Sequence, residues 1–338
     1  MQKIVNAGEK FFIFLKRGIP LSKGFMGRIW DDFLYLSSGE TARDFLLETY
    51  RKNGISEEEK WSFENNAAFR FHLEQGIHFF HQASDSPLPI QPILFFYGLV
   101  FLFKAAVLTR DPHYPASSQV LAHGVSTRKR KKQNYRYFED EVKIQKNGLF
   151  PHLIEEMFKM PPQEGKKYRI IDLLCQIPEL HRFLERMRVN RQFICFAEEK
   201  GRIRVPEEAL DAFHLTETRL YDLFRQRSNA PEYFRLEGKE IFIRKKGVHP
   251  FPEPLPFRFD WADSVYRFCD SGELNYYREL LIHYLLLYHL SMLARYEVEW
   301  WAELVAEKPS ADFPITVRYL QIAGEKIPFY IHELLFGS

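Results

Sequence analysis

Cysteine is scarce in this chain, with three in 338 residues, at Cys175, Cys195 and Cys269. Their odd number and wide separation along the sequence argue against a disulfide framework and against a thiolate metal site, and they fit a reducing compartment. Net charge is nearly absent as well. Lys and Arg total 47 against 45 Asp and Glu, a formal charge of +2, so no global field favours DNA, membrane or acidic substrates and any electrostatic function must be local. Missing too are GxxxxGK[ST], GxGxxG behind a strand, GxSxG and HExxH, so the familiar nucleotide hydrolases, dehydrogenases and esterases recede. The apolar run Phe11 to Leu15 near the start is short and lacks a small-residue cleavage pattern, which speaks against a secretory signal. Two longer apolar stretches, Pro92 to Leu108 and Leu280 to Leu293, are interrupted by Lys104 and by His283 and His289. They read as buried core helices, not membrane spans, and a cytoplasmic protein without a membrane partner is expected.

Apolar material is plentiful. Hydrophobic residues make up 46% and aromatics 16%, with 32 Phe and 17 Tyr, enough to offset chain entropy across one large or two coupled units. Helical spacing runs from Thr41 to Tyr50 and from Trp61 to Gln82, where Ser62 is placed to cap. Ser86-Pro87-Leu88-Pro89 then breaks the pattern before the Pro92 to Leu108 helix. Val142 and Ile144 alternate with Lys143 and Gln145 ahead of Asn147-Gly148, a short strand and turn, with a helix near Pro151 to Phe158. Beyond about Asn190 alternation suggests strands at Phe193 to Val205, Tyr233 to Leu236 and Glu240 to Arg244, with Pro206 to Arg227 helical between them. Prolines 250, 252, 254 and 256 mark a linker, and helices are expected again from Trp261. The predicted class is mainly α with a smaller β-containing insert, α+β: a helical region at 1–190, the insert at 191–256, and C-terminal helices at 257–338 packing on the first region.

The sharpest local feature is the run His123-Gly124-Val125-Ser126-Thr127-Arg128-Lys129-Arg130-Lys131-Lys132, with five successive cations. Together with Lys143-Ile144-Gln145-Lys146-Asn147-Gly148-Leu149-Phe150 and Leu290-Ser291-Met292-Leu293-Ala294-Arg295-Tyr296, it resembles the bacterial YaaC-like family, from about Tyr50 to the end. Val298 departs from the pattern, which has proline there. The resemblance implies a cytoplasmic protein, names no activity, and carries a hint of purine metabolism.

Chemically, Gly124 would allow close backbone approach to a phosphate, with His123 beside it, while Arg128, Lys129, Arg130, Lys131 and Lys132 would offer charge-assisted hydrogen bonds. Tyr135, Tyr137 and Phe138 follow and could stack a base. The plainer account is a solvated face kept exposed by its cations. A second pattern, Arg278-Glu279-Leu280-Leu281-Ile282-His283, matches the Arg-x4-His signature of the helical domain called HEPN. There Arg would stabilise a pentavalent phosphate while His moves protons during attack by a 2′-hydroxyl. Chance supplies about one such pair in a chain of this composition and there are two, so apolar Leu280, Leu281 and Ile282 favour a core helix instead. His72, His78 and His81 share a predicted helix, but no second cluster completes a metal site. No cofactor is expected. A binding or regulatory protein recognising nucleotide or RNA phosphates is therefore preferred to an enzyme, with a HEPN-like ribonuclease and a protein-interaction scaffold as alternatives.

Overall fold

The structure, a computed structural model, describes residues 23–128, 135–196, 198–199, 202–227, 231–238, 240–244 and 255–337. Of the basic run only Arg128 falls within these; Lys129, Arg130, Lys131 and Lys132 lie outside the described residues. Helices dominate, and the small antiparallel sheets are confined to three places. The class is mainly α with a minor β component.

Helices α1 (Lys23–Tyr35), α2 (Gly39–Lys52), α3 (Glu58–Asp85) and α4 (Gln91–Leu108) follow one another closely. Ser38 caps α2, its side chain accepting from the Thr41 backbone N–H at 3.1 Å, while its carbonyl accepts from the Ala42 N–H. Ser62 does not cap α3. The helix starts a turn earlier at Glu57, in a left-handed conformation, and Ser62 is buried inside it, donating to the Glu59 carbonyl at 2.9 Å. Among the described residues α4 is the one helix long and apolar enough to cross a membrane, but two thirds of that stretch is buried against protein. Its partners explain this. It lies along α10 (Glu279–Tyr296), with Phe96 meeting Tyr284 at 5.4 Å and Tyr288 at 5.5 Å, and Phe103 meeting Tyr284 at 5.9 Å. A helix apolar on every side must be enclosed, and α10 is buried without interruption from Glu279 to Ser291.

The main core gathers side chains from Ile29 through Leu184 and from Trp261 through Leu335. Short helices α5 (Leu149–His152), α6 (Ile170–Leu174) and α7 (His181–Arg186) follow α4 in the chain, and the last layers of this core are α11 (Val298–Glu307) and α12 (Asp312–Phe336). A second, smaller core collects Ile194, Leu220, Phe224, Phe234, Phe257, Tyr266 and Phe268, and half-buried Phe259 packs on both. In this smaller unit α8 (Glu207–Phe213) and α9 (Glu217–Arg227) are separate helices, divided at His214, which adopts a left-handed conformation.

The sheets are β1 (Val125–Thr127), β2 (Glu141–Ile144) and β3 (Lys167–Arg169) in the order β1-β2-β3; then β4 (Phe193–Phe196), β9 (Arg258–Asp260) and β10 (Val265–Cys269) in the order β4-β10-β9. The third is β5 (Glu198–Glu199), β6 (Arg202–Arg204), β7 (Phe234–Glu237) and β8 (Glu240–Arg244) in the order β5-β6-β8-β7. Helix does not resume at Trp261. Asp260 accepts from the Ala262 and Asp263 N–H groups at 2.9 and 3.1 Å, which turns the chain, and the β-branched and aromatic stretch Val265 to Cys269 then pairs with β4 and β9. The next long helix waits until Glu279.

Candidate ligand cleft at the end of a buried helix

The HGVST segment is held tightly from both sides. Val125 pairs with Ile144 and Thr127 with Val142 in the β1–β2 ladder, and the alternation of that strand buries Val142 and Ile144 while Lys143 faces out. Tyr284 of α10 donates to the His123 carbonyl at 2.9 Å, and Phe150 N–H does so at 3.2 Å. Gly124 has φ of +76° and Gly148 φ of +133°, and the two backbones touch: a Cβ on Gly124 would collide with Pro151 Cδ, and one on Gly148 with the Gly124 backbone. Gly124 is buried and its open side is filled by Gly148, so its smallness serves backbone packing and leaves no room beside it for a phosphate.

Where β1 ends, Arg128 emerges exposed at a narrow cleft lined also by Thr127, Tyr135, Asp140, Met292, Leu293 and Tyr296, with the half-buried acid Glu297 beside them. Its enclosed volume of about 20 Å³ would hold a water or one phosphate oxygen, so a larger ligand would lie along its mouth. Tyr296 stands at this mouth with 60% of its surface exposed. The floor is a buried polar pair in which His289 Nε2 lies 2.9 Å from Asp140 Oδ2. Tyr135 Oη donates to the same oxygen at 2.9 Å, and the Glu141 N–H donates to Asp140 Oδ1 at 2.8 Å. Burial alone would raise the Asp140 carboxyl, but these hydrogen bonds outweigh it and hold the group below its ordinary value. A carboxylate so satisfied orients Tyr135 and His289. No local pattern announces this pair, since Asp140 and His289 stand 149 positions apart.

The His123 ring lies edge-on to Phe96 at 4.9 Å and to Tyr97 at 5.9 Å. Burial, then Arg295 and Lys104, push its pKa down to about 4, so near neutral pH it is an uncharged aromatic contact.

The residues of the Arg-x4-His pattern sit elsewhere. Arg278 is the N-cap of α10, and His283 is fully enclosed, its Nδ1 3.3 Å from Tyr319 Oη and its Nε2 3.4 Å from Glu279 Oε1. A ring with no exposed surface cannot touch a substrate in this conformation. It belongs to a buried network in which Lys326 Nζ lies 2.6 Å from Glu279 and 2.9 Å from Glu179, with Tyr330 Oη donating to Glu279 at 3.0 Å. Of the α3 histidines, His81 packs on Trp30 at 4.5 Å and His72 on Phe101 at 5.8 Å. Among the described residues no group of three His, Cys, Asp or Glu could hold a metal ion.

No curated protein and no solved structure matches the chain. The model of the YaaC-like protein family matches residues 34–335, nearly the whole length, and the protein therefore belongs to the YaaC-like family.

Proposed function

We propose that the protein is a binding or regulatory protein that recognises the phosphates of nucleotides or RNA at the Arg128 cleft. The observation that carries this is the placement of Arg128: exposed, without a carboxylate partner among the described residues, and facing the same opening as Tyr135 and Tyr296. An unpaired guanidinium beside accessible aromatic rings suits a ligand that joins a phosphate to a base. The sequence adds four further cations directly after it. The enclosure of His283 weighs against cleavage by the Arg278 and His283 pattern, which leaves binding as the better account.

Reversing Arg128→Glu and Arg130→Glu together is the direct test. Arg128 is exposed, and such charges contribute little to stability, so the melting curve should stay where it is, while salt-sensitive binding of nucleotides and short RNAs is lost. If the double variant binds every such ligand as the parent does, the run is a solvated face and the reading fails.

A scaffold function has one observation in its favour. Leu34, Tyr35, Phe63 and Phe71 are exposed on α1 and α3, and Leu34 lines a cavity of about 360 Å³ together with Trp30 and His78. Thermal shift across a nucleotide and RNA panel separates the two, because a scaffold of this kind is indifferent to every member.

A further inference from the structure

A second series of cationic and aromatic side chains leads away from the Arg128 cleft. Met292, which lines that cleft, has its sulfur 3.3 Å from Arg295 Nη2. The Arg295 guanidinium donates to Tyr97 Oη at 3.0 Å and sits 5.6 Å from the centroid of that ring. From Tyr97 the contacts pass to Phe79 at 6.3 Å. Phe79 in turn stacks on Phe101 at 5.7 Å with planes 17° apart, and the Lys104 ammonium lies 5.5 Å from the Phe101 centroid. Tyr97, Phe101 and Lys104 recur at spacings of four and three along α4, which puts them on one face, and all three are half-buried.

The stripe lacks counter-charge. Among the described residues no carboxylate pairs with Lys104 or Arg295. The titratable neighbours agree with this. Burial lowers the Lys104 pKa, while burial and then Lys104 push His72 down to about 4, with no acid opposing either. A lone lysine laid along an apolar helix is ordinary snorkelling. Two cations with no carboxylate partner among the described residues, bracketing a continuous set of aromatic rings one side chain away from an exposed arginine, form a positive track instead.

We propose that this track is a binding surface for single-stranded nucleic acid, which runs from Arg128 past Arg295 and Tyr97 to Phe101 and Lys104. Phosphates meet the two cations and bases lie against the rings, the combination that holds single strands without sequence preference. The inference rests on the phosphate-binding reading of Arg128 and extends it, because it makes the ligand a strand and not a mononucleotide. From Tyr97 to Lys104 the helix rises about 10 Å, the length of about three stacked nucleotides.

The test uses the full chain with labelled oligouridylate and oligothymidylate of about ten nucleotides, and UTP beside them. The parent should bind a strand more tightly than UTP. Lys104→Gln with Arg295→Gln should weaken strand binding by about tenfold and flatten the salt dependence by about 1.4 in log–log slope, with UTP binding unchanged. Arg128→Glu should weaken both ligands. Arg295→Lys, which keeps the charge, should restore most of the strand affinity. Lys104→Gln alone, at a side chain whose described neighbours are rings, covers the case in which the double variant does not fold. Whether ribose or deoxyribose strands bind better identifies the nucleic acid, and weakening of either by the variants supports the track. Parental strand affinity and salt slope in the Lys104 and Arg295 variants, with loss confined to Arg128→Glu, would overturn the track and leave the cleft standing. Equal affinity for strand and UTP would overturn it as well. If the parent binds none of these ligands, the cleft reading itself fails and takes the track with it.

Discussion

Single residues in the HGVST segment show how one motif can serve a purpose its composition does not announce. In sequence, glycine beside a basic run suggests a phosphate approach. In the structure Gly124 meets Gly148 backbone to backbone, and the contact pins the segment that delivers Arg128 to its cleft. Gly148→Ala should therefore cost about 2–4 kcal/mol, from a strained backbone and an overlap with Gly124 together. Thermal or urea denaturation measures it, and a variant as stable as its parent would mean that the two backbones can part without penalty. The arginine was legible as the first of five successive cations. That Asp140 and His289 support the ring beside it was not, because their pairing at 2.9 Å comes only from packing α10 beside the β1–β2 ladder.

At the scale of elements, hydropathy pattern located the two central helices, since a stretch apolar on all faces has no alternative to enclosure. It failed where local chemistry competes, as at 261–276, where an Asp260 turn and a β-branched and aromatic run defeat helix. Which elements dock on which is also a matter of side-chain detail. Helix α1 is fastened to α12 by His332, whose Nε2 lies 2.7 Å from Asp32 Oδ2. Burial alone would lower the His332 pKa, but the Glu333 and Asp32 carboxylates raise it above 6.5. The folded state thus holds that proton more strongly than the unfolded chain. The stabilising contribution is complete below about pH 6.5 and is lost as pH rises through the folded-state value. Hydrogen-exchange protection of α1, corrected for intrinsic rates, should accordingly decline above pH 6.5, and His332→Gln should remove that pH dependence. The same decline persisting in the variant would exclude this contact as its source.

At the scale of the whole molecule, two cores are joined by buried charge as well as by apolar contact. Lys326 of α12 reaches Glu179 and Glu279 in the main core and donates to the Phe259 carbonyl of β9 at 3.2 Å. Buried Arg258 of β9 donates to Gln176 Oε1 at 3.1 Å and to the Leu274 carbonyl at 3.2 Å. Burial alone would lower the Lys326 pKa, yet the two carboxylates raise it, so it stays charged; burial raises Glu179 despite Lys326. Lys326→Met would leave two carboxylates enclosed without a cation, and unfolding free energy should fall by about 3–5 kcal/mol. Adding Glu179→Gln and Glu279→Gln should recover part of the loss, because neutral amides avoid the charge burial. Calorimetry on the three proteins checks both statements, and a neutral Lys326→Met would show that the network contributes nothing to holding the units together.

The helical class with its minor β part, the two enclosed helices and the family are legible in the sequence alone. Each follows from composition, periodicity or a local run of residues. Long-range packing alone sets Gly124 on Gly148, seals His283 beside Tyr319, joins Asp140 to His289, and brings Arg295 to Tyr97 and Phe79 to Phe101. The reason is distance along the chain. Hydrophobic period and turn chemistry act over a few residues, whereas these contacts join positions tens to hundreds of residues apart, and only the packing of whole helices brings them together.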